Sequence, residues 1–152
     1  MITVAAIENH KNPHIDGLIS EYIKRLQPLH PVNIQLLPAA KVQNPNQQQI
    51  KETESLLKLA KPGDTVILLD ENGKTSNSPG FAQFITQTLN QSRGKILFCI
   101  GGAYGFTEEA KSLYPSISMS QWVFPHQIAR LVLVEQLYRA FQIIKGTGYH
   151  HP

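Results

Sequence analysis

The sequence predicts an α/β fold built on a mainly parallel sheet. Two observations carry that prediction. Short β-branched apolar runs alternate with amphipathic segments along the whole chain. Two of those runs, Thr65 to Leu69 and Lys95 to Ile100, stay apolar at consecutive positions, the pattern of strands covered on both faces.

In chain order, Ile2 to Ile7 reads as the first strand. Asn12-Pro13 supplies a cap followed by proline at the first helical position. The helix it opens should reach about Gln27, with Ile15, Leu18, Ile19, Tyr22, Ile23 and Leu26 on one face, and Pro28 and Pro31 stop it. Val32 to Leu37 is a second strand. A Gln/Asn-rich stretch from Lys41 to Gln49 is expected as a loop leading into a polar helix that ends near Ala60. After the Pro62-Gly63 turn and the Thr65–Leu69 strand, Asp70 to Asn77 is expected as a loop with an Asn72-Gly73 bend. Ser78-Pro79 is read as capping a helix bearing Phe81, Phe84, Ile85 and Leu89. The strand Lys95 to Ile100 leads into a glycine-rich turn, and Thr107-Glu108-Glu109 starts a helix with carboxylates at its positive end. A short segment, Ile117 to Ser120, precedes the loop Gln121 to Phe124. Pro125 opens a last helix running to about Lys145, followed by a polar tail.

At 152 residues the chain is the length of a single domain, 1–152, and can bury a core without staples. Cys99 is the only cysteine, which excludes an internal disulfide and the usual zinc patterns. Hydrophobic content of 41% excludes wholesale disorder. The opening Met-Ile-Thr-Val lacks the basic flank of a signal peptide and no apolar run reaches membrane-spanning length, so the expected compartment is the cytoplasm, with no membrane partner. The net charge of +3 is carried by the second half, which holds six basic and three acidic residues. An anionic partner would meet that half.

The last helix is apolar around most of its circumference, from Ile128 through Leu137 to Ile144, leaving a narrow polar stripe with Glu135, Arg139 and Gln142. Such a helix is either central to the core or shared with a second subunit in a homodimer.

Gly101, Gly102 and Gly105 follow a buried strand and precede a capped helix, where a parallel sheet binds its ligands, yet their spacing is not the dinucleotide fingerprint. Asp70 to Lys74 lies at another strand's carboxyl end, and the two loops would flank one crevice if their strands are neighbours. Trp122 and Phe124 either wall a pocket or fill core. His126 reads as a helix-start or packing residue, and Arg130 one turn later suits an anion or a carboxylate. Tyr149, His150 and His151 stand beyond Gly146 and Gly148, as either a frayed end or a tail that folds over a substrate. No Asp, Glu or Cys accompanies the histidine pair, so no metal is expected there. No nucleophile motif is present, and Cys99 should be buried and inert.

Three segments together carry a resemblance: Leu68 to Lys74 continuing to Phe81-Ala82, Ile100 to Gly105, and Phe124 to Arg130 running to Glu135 through Ala140. With Gly148-Tyr149-His150, the chain resembles the bacterial ribosomal RNA large-subunit methyltransferase H family of the SPOUT class. The resemblance implies helices on both faces of the sheet and a C-terminal trefoil knot, against the general rule that chains are unknotted. It implies S-adenosylmethionine as cofactor, held by Leu69, Gly102 and the stretch Ser120, Gln121, Trp122, Val123, Phe124 and Pro125. It implies a homodimer that methylates N3 of a pseudouridine in helix 69 of 23S ribosomal RNA within the assembled ribosome. Tyr149 and His150 are then the catalytic candidates, and Arg130, Arg139 and His151 the candidates for substrate contact, with a Glu135–Arg139 structural pair as the alternative for Arg139. Family members usually carry proline before the Tyr-His pair and a basic residue after it, where this chain has Gly148 and His151. A reading from a different class is a ribosome-binding or assembly module that keeps the fold without turnover.

Overall fold

A computed structural model describes residues 1–152. Five parallel strands form one sheet in the order β2-β1-β4-β3-β5: β1 (Ile2–Ile7), β2 (Val32–Leu37), β3 (Thr65–Thr75), β4 (Ile96–Ile100) and β5 (Ser116–Ser118). Five helices connect or follow them: α1 (Pro13–Leu26), α2 (Pro45–Leu57), α3 (Ser78–Gln91), α4 (Glu108–Leu113) and α5 (His126–Lys145). Alternate residues of each strand feed two cores, as the pleat requires. Ile2, Val4, Ile67, Phe98 and Ile100 pack with α1, α3 and α5; Ala5, Ile7, Leu68, Leu97 and Cys99 pack with Leu56 of α2 and Ala110 of α4. The sheet is therefore covered by helices on both faces, as expected. No helix is long and apolar enough to cross a membrane.

The helix starts follow their caps. Asn12 Oδ1 accepts from the N–H groups of His14 and Ile15, and Thr107 caps α4 through the N–H of Ala110. Three expectations need correction. The stretch read as a loop to Gln49 is helical from Pro45, because Asn44-Pro45 repeats the Asn-Pro start signal and Asn44 Oδ1 accepts from Asn46 and Gln47. The α3 cap is Asn77 rather than Ser78, with its Oδ1 accepting from Gly80 N–H. Most of the Asp70–Asn77 loop is strand: β3 runs on to Thr75, pairing with β5 again at Lys74 and Thr75 after an irregularity beyond Leu69. Gly73 makes no left-handed bend; a methyl group there would lie 2.7 Å from the backbone carbons of Ser116 and Ile117, so glycine permits the close approach of β5.

Helix α5 lies across the face that it shares with α1 and α3, burying Leu133, Val134, Leu137, Ala140 and Phe141. Ser78 Oγ donates to Gln136 Oε1 at 2.7 Å on the α3 side. On the α1 side, Arg130 Nη2 donates to Asp16 Oδ1 at 3.1 Å. The helix is thus central to the core, while Ile144 remains exposed and Leu131, Val132 and Tyr138 are only half-buried.

Candidate active site

The carboxyl ends of β3, β4 and β5 meet around a cavity of about 290 Å³. Adjacency of β3 and β4 is what brings their two loops together, and the segment after β5 closes a third side. Leu69, Ile100, Ile117 and Met119 make an apolar wall. The glycine turn Gly101–Gly105 makes another: Gly105 N–H donates to Gly102 O at 3.0 Å, and Gly105 has φ of +68°, where side chains other than glycine's are strained. A methyl group at Gly101 would fall 3.2 Å from the Gly105 carbonyl carbon, tighter than ordinary van der Waals contact, so the backbone packs closely across the turn at this position.

Of the positions expected to hold a cofactor, Leu69, Gly102, Ser120, Trp122, Val123 and Phe124 line the cavity. Gln121 and Pro125 do not; Pro125 occupies the N-cap position of α5, its carbonyl accepting from Ala129 N–H. The loop is shaped locally: Ser118 Oγ donates to Ser120 O, and Ser120 Oγ accepts from Trp122 N–H at 2.9 Å. Trp122 and Val123 are 80% and 78% exposed, so these side chains fill no core and stand free at the cavity's mouth. His126 also lines it. The charged members are Asp70, Glu71 and Lys111; Lys111 Nζ lies 3.4 Å from Asp70 and 3.3 Å from Glu108. Burial works against the Lys111 charge, but these two carboxylates outweigh it and leave its pKa above the ordinary lysine value.

The remaining candidates gather elsewhere. No residue beyond Ala129 lines the cavity. On α5, Glu135 accepts two hydrogen bonds from Arg139, at 2.6 and 3.1 Å, one from Tyr149 Oη at 3.2 Å and one from Gln136. The Arg139 guanidinium lies over the Tyr149 ring, whose edge meets Tyr138, and Arg139 Nη1 is 3.2 Å from His150 Nδ1. A guanidinium only donates, so Nδ1 accepts in that contact. The tail is docked, not frayed. Burial, the Tyr22 hydroxyl and Glu135 push the Tyr149 phenol up to about 12, and the hydrogen bonds that Arg139 donates to Glu135 raise the guanidinium's pKa. His151 is exposed at the chain's end.

Arg130 takes the carboxylate, Asp16, and its side chain is only 2% exposed, so in this arrangement it offers no surface to a substrate. Cys99 is fully buried, and burial lifts its thiol to about 12, as its inertness requires.

One contribution was not legible in the pattern. Helix α2 reads as an exposed polar helix, yet Glu52 and Thr53 are buried and Gln49 Nε2 donates to the carbonyls of Tyr104 and Phe106, at 2.8 and 3.1 Å. Its spacing of i, i+3, i+4 was the available signal, carried by polar residues instead of apolar ones.

Comparison with known proteins agrees with this geometry. The family described as "Predicted SPOUT methyltransferase" matches residues 1–150. A protein of Flavobacterium psychrophilum named ribosomal RNA large subunit methyltransferase H is 40% identical over 99% of this chain and 98% of its own. Proteins of the same name from Christiangramia forsetii and Bacteroides thetaiotaomicron are 39% and 37% identical, over 99% and 98% of this chain and 98% of each relative.

Proposed function

We propose, from the premise that this chain belongs to the SPOUT methyltransferase family, that it is a ribosomal RNA methyltransferase using S-adenosylmethionine to methylate N3 of a pseudouridine in helix 69 of 23S RNA. The observation that carries this reading is the cavity at the carboxyl ends of β3, β4 and β5, lined by six of the eight positions carried over from the family. The fit to the cofactor is chemical. An apolar wall for a flat ring faces the three glycines of the turn, which admit close backbone contact, with Asp70 and Glu71 at the edge for hydroxyl or amine groups. Bound there, the cofactor would supply a sulfonium-activated methyl group.

The chain's own residues then have to position the acceptor and handle one proton. Methyl transfer needs near-attack alignment more than acid–base assistance. The N3 proton must nevertheless leave, and the tail holds the titratable groups. Tyr149 keeps its proton at neutral pH, since its pKa stands at about 12 and its hydroxyl donates to Glu135, so it orients. His150 is the proton acceptor in this reading, taking the proton on Nδ1 once Arg139, which donates to that nitrogen in the free subunit, releases it. Arg139 holds His150, and His151 contacts the RNA backbone.

The tail lies outside its own cavity, which supports a homodimer in which one subunit's tail serves its partner's cavity. The half-buried apolar residues of α5 supply the interface. The family's C-terminal trefoil knot belongs to the same reading: the chain leaves the edge strand β5 and returns to the middle of the face as α5. The protein acts in the cytoplasm, on assembled ribosomes.

Incubation with methyl-labelled cofactor and intact ribosomes, with or without the helix 69 pseudouridines, tests this. Label is expected on that pseudouridine alone, located by nuclease digestion and mass spectrometry. Absence of label on any RNA, with a control enzyme active on the same ribosomes, would favour the non-catalytic ribosome-binding module.

A further inference from the structure

The glycine turn has little rigidity of its own, with no side chains at Gly101, Gly102 and Gly105 to restrict its backbone. What holds it is the polar face of α2. Gln49 spans the left-handed Gly105 by donating to the carbonyls on either side of it, Tyr104 O at 2.8 Å and Phe106 O at 3.1 Å. Thr53 Oγ1 accepts from Thr107 N–H at 3.4 Å. Glu52 is 2% exposed and takes part in no ion pair. Its Oε2 accepts from Ala40 N–H at 3.0 Å, whereas Oε1 is buried with no hydrogen-bond partner. Gly102 lies against that carboxyl: a methyl group at Gly102 would sit 2.9 Å from the Glu52 carboxyl carbon.

A buried oxygen without a partner opposes folding, and an apolar side chain at position 52 would remove that cost. The group nevertheless stands where it touches the one turn residue expected at the cofactor. We infer that Gln49 and Glu52 are positioning residues of the methyltransferase pocket, Gln49 by anchoring the carbonyls of the turn and Glu52 by setting the depth of Gly102. The turn is thereby shaped before a cofactor arrives, so binding does not have to order it. The cofactor part of this inference rests on the function proposed above; the bracing of the turn does not.

Two readouts separate those parts. In the protein without cofactor, hydrogen exchange of the amides from Gly102 to Phe106 should be about tenfold faster in Glu52→Ala and Gln49→Ala, the effect of one ordinary hydrogen bond, with β1 amides unchanged. S-adenosylhomocysteine, titrated by calorimetry, should bind each variant about tenfold more weakly at a temperature where both are fully folded. Glu52→Gln keeps the side-chain volume and an acceptor for Ala40, and should restore both readouts. Unchanged exchange in a folded Glu52→Ala or Gln49→Ala would overturn the brace, as would a Glu52→Gln protein that behaves like Glu52→Ala. Faster exchange with unchanged affinity would overturn the link to the cofactor. Failure of the unmodified protein to bind S-adenosylhomocysteine would strike the proposed function, while the exchange experiment would still judge the brace.

Discussion

Two regions of the second half of the chain divide the chemistry between them. The cavity at the ends of β3, β4 and β5 has shape, apolar walls and a close-approach turn, but its ionised groups are mostly engaged with one another, as in Lys111 with Asp70. The cluster on α5 has a carboxylate, a guanidinium, a phenol and an imidazole in one hydrogen-bonded set, but lies outside that cavity. The difference teaches that one folded chain prepares the two halves of a site without joining them. Rigid secondary structure explains the separation: α5 opens at the cavity, with His126 and Ala129 in its lining, and carries Glu135 and Arg139 two to four turns further on.

The sharpest way to break this division is to remove residues 147–152. Methyl transfer should fall by about a hundredfold or more, the scale of losing a positioned proton acceptor, while affinity for S-adenosylhomocysteine holds. Loss of cofactor affinity in the truncated protein would show that the two regions are one. The next test mixes the truncated subunit with a Gly102→Ala subunit, each inactive alone. A mixed dimer with the tail acting across should regain about half of the native activity, since one of its two sites is whole. Inactivity despite confirmed mixing would return the tail to its own subunit.

Glu135→Gln is a milder probe, leaving the shape of the α5 cluster but weakening its hold on Arg139 and Tyr149. Turnover should drop about tenfold with the cofactor affinity unaltered, as expected for loss of a charge-assisted pair. The smallest effect should come from outside both regions. Asp64 accepts from the N–H groups of Lys61 and Lys95, and those bonds, the Lys61 one foremost, hold its carboxyl below the ordinary range. Asp64→Ala should cost about 1–2 kcal/mol at neutral pH, with neither cofactor binding nor tail docking altered. A lowered folded-state pKa means that this contribution is present above the ordinary carboxylate value and fades as pH falls through it. The stability gap between native and variant proteins should therefore begin to narrow below about pH 4 and close further as pH falls through the lowered folded-state value.

Apolar periodicity and caps carried most of the element order, because both are local. The limits of β1 and β2, the start of α1 at Pro13 and the end of α5 at Lys145 follow from residues within one turn of them. The Lys41–Gln49 stretch shows where composition misleads: a run of Gln and Asn looks like loop, yet Asn44-Pro45 starts a helix there as Asn12-Pro13 does in α1. The extension of β3 through Asp70–Thr75 had no local signal, since its partner is the short β5, and a strand of that composition forms only when an edge is offered to it.

By itself the sequence determined the α/β class, the first four strands and the five helices in order, the glycine turn and the family. Each rests on spacing within a few residues or on motifs read in line. Tertiary structure alone decided which loops meet, because the sheet places β3 between β4 and β5, an order that the chain order does not give. It decided that Arg130 is spent on Asp16, 114 residues away, and that Gln49 and Glu52 serve a turn some fifty positions on. Polar side chains have many possible partners, and the choice among them is made only when packing removes water and leaves few geometries open.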